Sequence, residues 1–379
     1  MSTVFYKLLG RLSVSRKLLL IFLLDMSAVA YVSGIMLNEK YLAIDFARKE
    51  LAGNAYIAAL RPVMLSLAEW TPFDGAGVDW VPHAGAVRAA QARFGGDMAS
   101  ADAALAFEAA LGRLGHPGQP ADAVVDAAER GRELITRLGN QSNLILDPDL
   151  DSYYTMSVVL LRLPELLALS TDYVRTPLTD EQGATRLLLL EGRLDALLQG
   201  LQSDYREACA ANAPRTLCPQ LEPGRKALVS AAAQLRDAGR QRAAPADEAT
   251  EAGLQAAHAR LVRAIDGAWS GSATALDQLI DARIHGFFAR MWLHLGTALS
   301  LLCLILTAVW FVARSIAKPL RSLARVMDQV ASTGNHALRA AWDSHDEIGR
   351  LVRGFNGMLA QLDRGRVLQQ ELAASARAA

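Results

Sequence analysis

The chain has 379 residues, 52% of them apolar and 6% aromatic, and 39 Lys and Arg balance 39 Asp and Glu to a formal net charge of zero. That balance removes the electrostatic footprint expected of a nucleic-acid binder, and the apolar content without surplus charge excludes wholesale disorder. The length allows two or three domains.

The apolar residues are mostly Ala and Leu, which favour helix, and alternating strand-like runs of Val, Ile, Thr and Tyr are nearly absent. The expectation is an all-α protein. Residues 1–17 carry Lys7, Arg11, Arg16 and Lys17 and no acid. Leu18 to Leu37, LLLIFLLDMSAVAYVSGIML, follows directly. About 20 apolar residues at 1.5 Å each cross ~30 Å of hydrocarbon, so this segment predicts a transmembrane helix. A rival reading is a secretory signal with a small-residue cleavage site at Ala28-Val29-Ala30. Against it, the apolar run continues to Leu37 and Asp25 interrupts the supposed signal core.

Between residues 38 and 292 helical patterns recur between breakers. One helix continues from the first span through YLAIDFARKELAGNAYIAALRPVML, until the turn-rich EWTPFDGAGVDWVP between Trp70 and Pro82. Ala-rich helix follows to about Gly115, then a turn at His116–Pro120 and a helix from about Ala121 to Leu146. In Asp147-Pro148-Asp149, Asp147 suits an N-cap and Pro148 the first helical position. Further helices are expected over Asp180–Ala210, Pro223–Gly239 and Asp247–Arg290. Four antiparallel helices of ~35 residues would need roughly 160 residues, so this elongated bundle carries extra helices or is two stacked bundles. Cys209 and Cys218, in CAANAPRTLC, are placed to close a short loop as a disulfide.

The most distinctive stretch of this region is LDPDLDSYYTMSVVLLRLPEL, Leu146 to Leu166, where Leu150, Tyr153, Tyr154, Ser157, Val158 and Leu161 share one helical face. An apolar stripe of this kind is ordinarily core packing with the tyrosine hydroxyls at a polar edge. The sharper reading has Tyr153, Tyr154 and Arg162 lining a small-molecule pocket, with Arg61 a further candidate for a ligand carboxylate. The seven histidines have no metal-ligand spacing, no nucleophile motif is present, and no cofactor is expected.

Leu293 to Val312, LHLGTALSLLCLILTAVWFV, contains no charged residue and predicts a second span. Arg314, Lys318, Arg321 and Arg325 follow it. Basic flanks after the second span and before the first place both termini in the cytoplasm and residues 38–292 outside. A carboxylate within a span should face protein or water, and Asp25 lies at about the depth of Thr307, so a hydrogen bond between the spans is plausible. Two spans with one intramembrane charge offer no midplane site for a transporter.

Beyond the second span, Ile348, Leu351, Phe355, Met358 and Leu362 step by three and four, the seven-residue pattern that buries a seam against a partner helix. The segment Arg314 to Leu362 resembles a HAMP domain, the linker of bacterial chemoreceptors and sensor histidine kinases. Pro319 matches the family's proline just past the membrane. Leu320, Leu323, Met327 and Val330 match its first amphipathic helix, and Gly334 the glycine opening the connector. Asp346-Glu347-Ile348-Gly349 matches the acidic motif before the second helix, and Phe355-Asn356-x-Met358 that helix. The connector departs from the pattern: Asn335 and His336 follow the glycine, with Leu338 the nearest apolar anchor.

The resemblance implies a parallel four-helix bundle formed by a homodimer in a bacterial inner membrane. A ligand or periplasmic binding protein would be sensed outside, and a cytoplasmic signalling partner addressed inside. It places signal relay on Pro319, Gly334, Glu347, Ile348, Phe355 and Met358, with Pro319 interrupting the helix that leaves the membrane. The expected organisation is a cytoplasmic N-terminus (1–17), spans at 18–37 and 293–312, a helical sensor domain (38–292), HAMP at 313–366 and the start of a signalling coiled coil at 367–379. Two readings of function stay open. One is a non-enzymatic sensor and relay, the other the sensory half of a histidine kinase or chemoreceptor whose output domain is elsewhere.

Overall fold

The structure is a computed structural model that describes residues 14–70, 78–114, 122–177, 181–241 and 248–378. The basic flank at Lys7 and Arg11, most of the turn after Trp70 and the turn at His116–Pro120 lie outside those residues. Among the described residues every regular element is helical. In chain order they are α1 (Val14–Glu69), α2 (Val81–Phe94), α3 (Ala101–Leu114), α4 (Asp122–Gln141), a short 3-10 turn (Leu144–Leu146), α5 (Leu150–Ser157), a π turn (Val158–Arg162), α6 (Leu163–Arg175), α7 (Glu181–Ala211), α8 (Leu217–Arg240), α9 (Glu248–Thr333) and α10 (Glu347–Ala378). The chain divides into two units, residues 40–289, and residues 1–39 together with 290–379.

Residues 40–289 form a helical domain around one continuous apolar core, from Ile44 and Ile57 on α1 through Phe107, Leu138, Leu163 and Leu201 to Leu261 and Ile280 on α9. Trp80, Trp269, Tyr56, Tyr173 and Tyr205 are its largest buried side chains. Burial of this kind contributes ~25 cal/mol per Å² of apolar surface removed from water. Two polar ties cross it. Asn54 on α1 donates to the Ala273 carbonyl and to Asp277 on α9, both at 2.8 Å. Tyr205 and Ser272 share a hydrogen bond of 3.0 Å.

Several boundaries differ from the sequence reading. The Ala-rich stretch to Gly115 is two helices, because Gly95 and Gly96 end α2 and Ala99 takes a left-handed φ of 43°. Pro223 sits inside α8, seven residues within it, not at its start. Asp147 is not an N-cap. Asp149, with an extended backbone, precedes the first turn of α5. On α5 and the π turn the face predicted as a stripe is split, with Leu150, Tyr153 and Leu161 exposed, Tyr154 half-buried and Ser157 and Val158 buried, while Ser152, Thr155, Met156, Val159 and Leu160 are buried beside them. The π turn adds one residue to the turn and so rotates the face that follows.

In the second unit, residues 19–37 and 293–312 lie on α1 and α9 and are largely exposed, with helices long and apolar enough to cross a membrane. Beyond them, α9 ends at Gly334, whose φ of 65° is the left-handed geometry glycine tolerates, and whose N–H caps the Val330 carbonyl at 2.9 Å. An irregular connector then leads to α10. Leu323, Ala340 and Val352 form a small core here, with Val326, Trp342 and Phe355 packed against it.

Candidate functional site

Two places in the molecule combine unusual chemistry with defined geometry. The first lies in the helical domain, where the three acids of DPDLDS each have a separate task. Asp147 Oδ1 accepts from the Asp149 N–H (3.0 Å) and the Ser152 hydroxyl (2.8 Å), which folds the entry to α5 around it. Asp149 Oδ2 lies 2.7 Å from Arg283 Nε. Asp151 receives Asn212 Nδ2 at 2.9 Å, and Asn212 Oδ1 in turn accepts from the Thr216 and Leu217 N–H groups. That turn carries the Cys209–Cys218 disulfide.

Arg283, on α9, binds this segment to α1. Its Nη1 is 2.9 Å from Glu50 Oε2 and its Nη2 is 2.5 Å from Asp147 Oδ1, and it also touches the Ser152 hydroxyl. The Glu50 and Asp147 side chains are wholly buried and that of Arg283 is 6% exposed. One guanidinium thus faces three carboxylates. Burial, reinforced by Asp147, pushes the Glu50 carboxyl up to about 8, and burial also raises Asp147 against the pull of Arg283. Sequence reasoning singled out the DPDLDS stretch but missed Glu50 and Arg283. A signal existed: Leu276, Ile280, Arg283 and Phe287 step by four, three and four, so Arg283 stands where a core residue belongs. Ala47, Glu50, Asn54 and Ile57 show the same substitution on α1.

The residues expected to line a ligand pocket are placed as follows. Arg61 pairs with Asp266 at 3.0 Å. Arg162, at the end of the π turn, is 2.8 Å from Asp204, which also accepts from Ser157. Tyr153 and Tyr154 meet edge to face with ring centroids 5.4 Å apart. No hydrogen bond or ion pair among the described residues joins the tyrosines to either arginine. Asp25 is exposed, and the Thr307 hydroxyl donates to its own helix at the Cys303 carbonyl (2.8 Å), so the inter-span hydrogen bond is not formed.

The second place is the segment after the second span. At the entry to α10, Asp346 accepts from the Gly349 N–H at 2.9 Å. That bond, with help from the Ser344 hydroxyl, holds its carboxyl below the usual range. Glu347 supplies a further acid to the positive end of the helix. Gly349 is required by contact, since a Cβ there would meet the Ser344 carbonyl oxygen. Asn356 clasps the connector from α10: its Oδ1 accepts from the Ala340 N–H (2.9 Å) and its Nδ2 donates to the Ala340 carbonyl (3.0 Å). Ala340, not Leu338, is therefore the buried anchor of the connector. Arg366 reaches back to the Gly334 carbonyl at 2.8 Å.

Two departures from expectation concern the helices themselves. α9 runs without a break through Pro319. Proline there forfeits one backbone bond, to the Ser315 carbonyl, and the turns on either side keep theirs. On α10, Val352 and Leu359 are 1% exposed, Val352 packing with Leu323 of α9 and Ala340 of the connector, whereas Leu351, Met358 and Leu362 are about half exposed. Ile348 and Phe355 are half-buried between the two faces. The helix therefore carries two apolar stripes, one used within the chain and one left open.

The family model for the HAMP domain matches residues 311–364. The chain carries a HAMP domain. Neither the curated proteins nor the solved structures contain a match to the chain. A HAMP domain behind two helices of membrane-spanning length and composition makes this a membrane signal-transducing receptor. Its capped, glycine-dependent entry to α10 and the Asn356 clasp are the physical content of the HAMP motifs in this chain.

Proposed function

We propose that the receptor senses a signal outside the cytoplasm with residues 40–289 and relays it to the cytoplasm through a HAMP four-helix bundle built by two copies of the chain. The observation that carries this reading is α9. One 86-residue helix supplies core residues of the helical domain, the second apolar span and the first HAMP helix. A helix of that kind transmits a displacement at one end to the other without needing a second element. The open stripe Leu351–Met358–Leu362 supports the second copy, because apolar residues at this seven-residue spacing bury a seam against a partner helix. The basic flanks support an orientation with both termini in the cytoplasm, and the HAMP domain supports a bacterial inner membrane.

Topology and pairing are tested in intact cells with single cysteines on a Cys303→Ser background. A membrane-impermeant maleimide should label Ala101→Cys before lysis and Asp343→Cys only after it. Met358→Cys should form a disulfide-linked dimer and Arg350→Cys should not. Equal crosslinking at both positions would remove the parallel-bundle reading. Equal labelling before lysis would remove the orientation. The signal's destination is either a separate partner or an output domain of histidine-kinase or chemoreceptor type. The mass of the native protein in its own membrane separates these, since 40.8 kDa leaves no room for the latter.

A further inference from the structure

A groove on the helical domain is lined by four arginines. Its inner end is a small cavity of about 120 Å³ floored by Met64, Leu67 and Ala68 of α1, Val125 and Ala128 of α4 and Leu167 of α6. It opens, past Val125, Asp172 and Arg175, into a wider groove of about 570 Å³ between α6 and α7. That size is typical of small-molecule sites, which run from ~300 to 1,000 Å³. Four arginines stand around it: Arg132 at the inner end, Arg175 at the junction, and Arg186 and Arg193 along the mouth.

The acids do not balance them. Among the described residues, Asp172 and Glu129 are the only carboxylates lining the two cavities. Asp172 makes no ion pair among the described residues, although Arg175, Arg132, Arg193 and Arg186 all act on it electrostatically. On α7, Glu191 pairs with Arg240 and Asp195 with Arg236 of α8. Arg61 and Arg162 are paired as well. Arg132, Arg186 and Arg193 have no ion-pair partner among the described residues. Arg175 is half-buried and spends one nitrogen on main-chain carbonyls at the end of α1, with Nη2 2.9 Å from the Trp70 oxygen and 3.5 Å from that of Leu67. A guanidinium carries five N–H donors, so most of its capacity is left for the groove.

We propose that this groove is the ligand site of the receptor and that it takes a small organic acid with an apolar body, the carboxylate held by Arg186, Arg193 and Arg175 and the body seated on the floor between α1, α4 and α6. Arginine is the residue that recognises carboxylate by paired N–H donors, and an adjoining apolar floor rewards a hydrocarbon body that a bare inorganic anion lacks. The proposal rests on the sensing role given above and names its ligand class. It also gives a route inward, because the same Arg175 grips the C-terminal end of α1, the helix that contains the first span.

The test uses the full chain in nanodiscs at physiological salt, with melting temperature and calorimetric titration as readouts. The probes are benzoate, hexanoate, benzamide and inorganic phosphate. A ligand that binds only the folded protein raises its melting temperature. Benzoate or hexanoate should give saturable binding, benzamide none, and phosphate at least ten-fold weaker binding. Arg186→Ala combined with Arg193→Ala should weaken the acid at least ten-fold at an unchanged unligated melting temperature, since both side chains are exposed. Arg263→Ala, on α9 outside the groove, should change nothing. Failure of both acids to bind, binding indifferent to the double variant, or phosphate binding as tightly as benzoate would each overturn the proposal. Such a failure alongside intact labelling and crosslinking leaves the receptor reading standing. Binding without them removes that reading and leaves the site.

Discussion

The helical domain and the membrane–HAMP unit are made from the same material, long helices rich in Ala and Leu, and two of those helices run through both. They differ in where the apolar residues go. In the domain, the apolar faces of α1 to α9 meet one another and bury nearly sixty side chains in one core. In the other unit the buried apolar cluster among the described residues is Leu323, Ala340 and Val352 with three neighbours, while Leu24, Leu304, Met358 and Leu362 face outward. A periodic apolar pattern therefore fixes that a helix needs a partner, and leaves open whether the partner is the same chain, a bilayer or a second copy. The exposed span residues answer to hydrocarbon and the open stripe of α10 to another helix.

The comparison also reverses the usual place of charge. The self-sufficient domain has ions inside it, and the unit that depends on its surroundings has its polar contacts at the surface. The largest expected effect follows from this. Arg283→Met leaves Glu50 and Asp147 buried without a cation, and should destabilise the helical domain by ~3–5 kcal/mol, read from its unfolding midpoint in the full chain. Making Glu50→Gln and Asp147→Asn in the same protein should recover most of that loss. If Arg283→Met costs less than ~1 kcal/mol, the cluster is not what holds α1, α5 and α9 together.

A pH profile sharpens the same point. Glu50 is raised from 4.5 to about 8 in the folded domain, so between those values the folded state holds more protons than the unfolded state. Stability should therefore fall as pH rises through that window. His258 works the other way, because burial lowers it to about 4 and the unfolded state takes up its proton below 6.5. Melting temperature measured from pH 6.5 to 8.5 isolates Glu50. The wild type should lose stability across that range, and Glu50→Gln should flatten the slope and be the more stable protein at pH 8.5. An unchanged slope would mean that Glu50 is ionised in the folded domain.

The helical class, the two spans and the HAMP segment were all legible in the sequence, since each rests on local periodicity or on closely spaced motif residues. The ionic cluster was not, because its members are at 50, 147 and 283 and only folding brings them together. What the sequence did hold was the irregularity: Glu50 and Arg283 each interrupt an apolar phase. The cationic groove was illegible for a different reason. Arg132, Arg186 and Arg193 read as ordinary surface charges until folding sets them around one groove, with Glu191 and Asp195 of α7 turned to α8 instead. Legibility failed at Pro319 too, where the rule that proline breaks helices was applied to a helix with enough bonds on both sides to continue.

A smaller effect is expected from the connector. Asn356→Ala removes both partners of a half-buried backbone pair at Ala340, a loss of ~1–3 kcal/mol for groups left unpaired. The cost should be local, visible as faster amide exchange at Ala340 with the helical domain unchanged. Slow exchange retained in the variant would mean that the packing of Ala340, Trp342 and Val352 holds the connector alone.

The smallest effect belongs to Asp346, and it separates the two units most cleanly. An N-cap carboxylate satisfies backbone N–H groups that the first helical turn leaves unpaired, and here it lies at the surface, where solvent screens its charge. Its folded pKa lies below 3.8, so its contribution is complete above that value and is lost as pH falls through the folded pKa. That is the opposite sign to Glu50. Lowering pH from 6 toward 3 should thus loosen the first turn of α10 in the HAMP domain, while Glu50 in the helical domain already holds its proton throughout that range. Asp346→Ala should abolish the acid dependence of exchange at Gly349 and leave exchange within α9 as it was. If the acid dependence persists in the variant, the cap is supplied by Ser344, and the glycine at 349 is needed only to admit the Ser344 carbonyl.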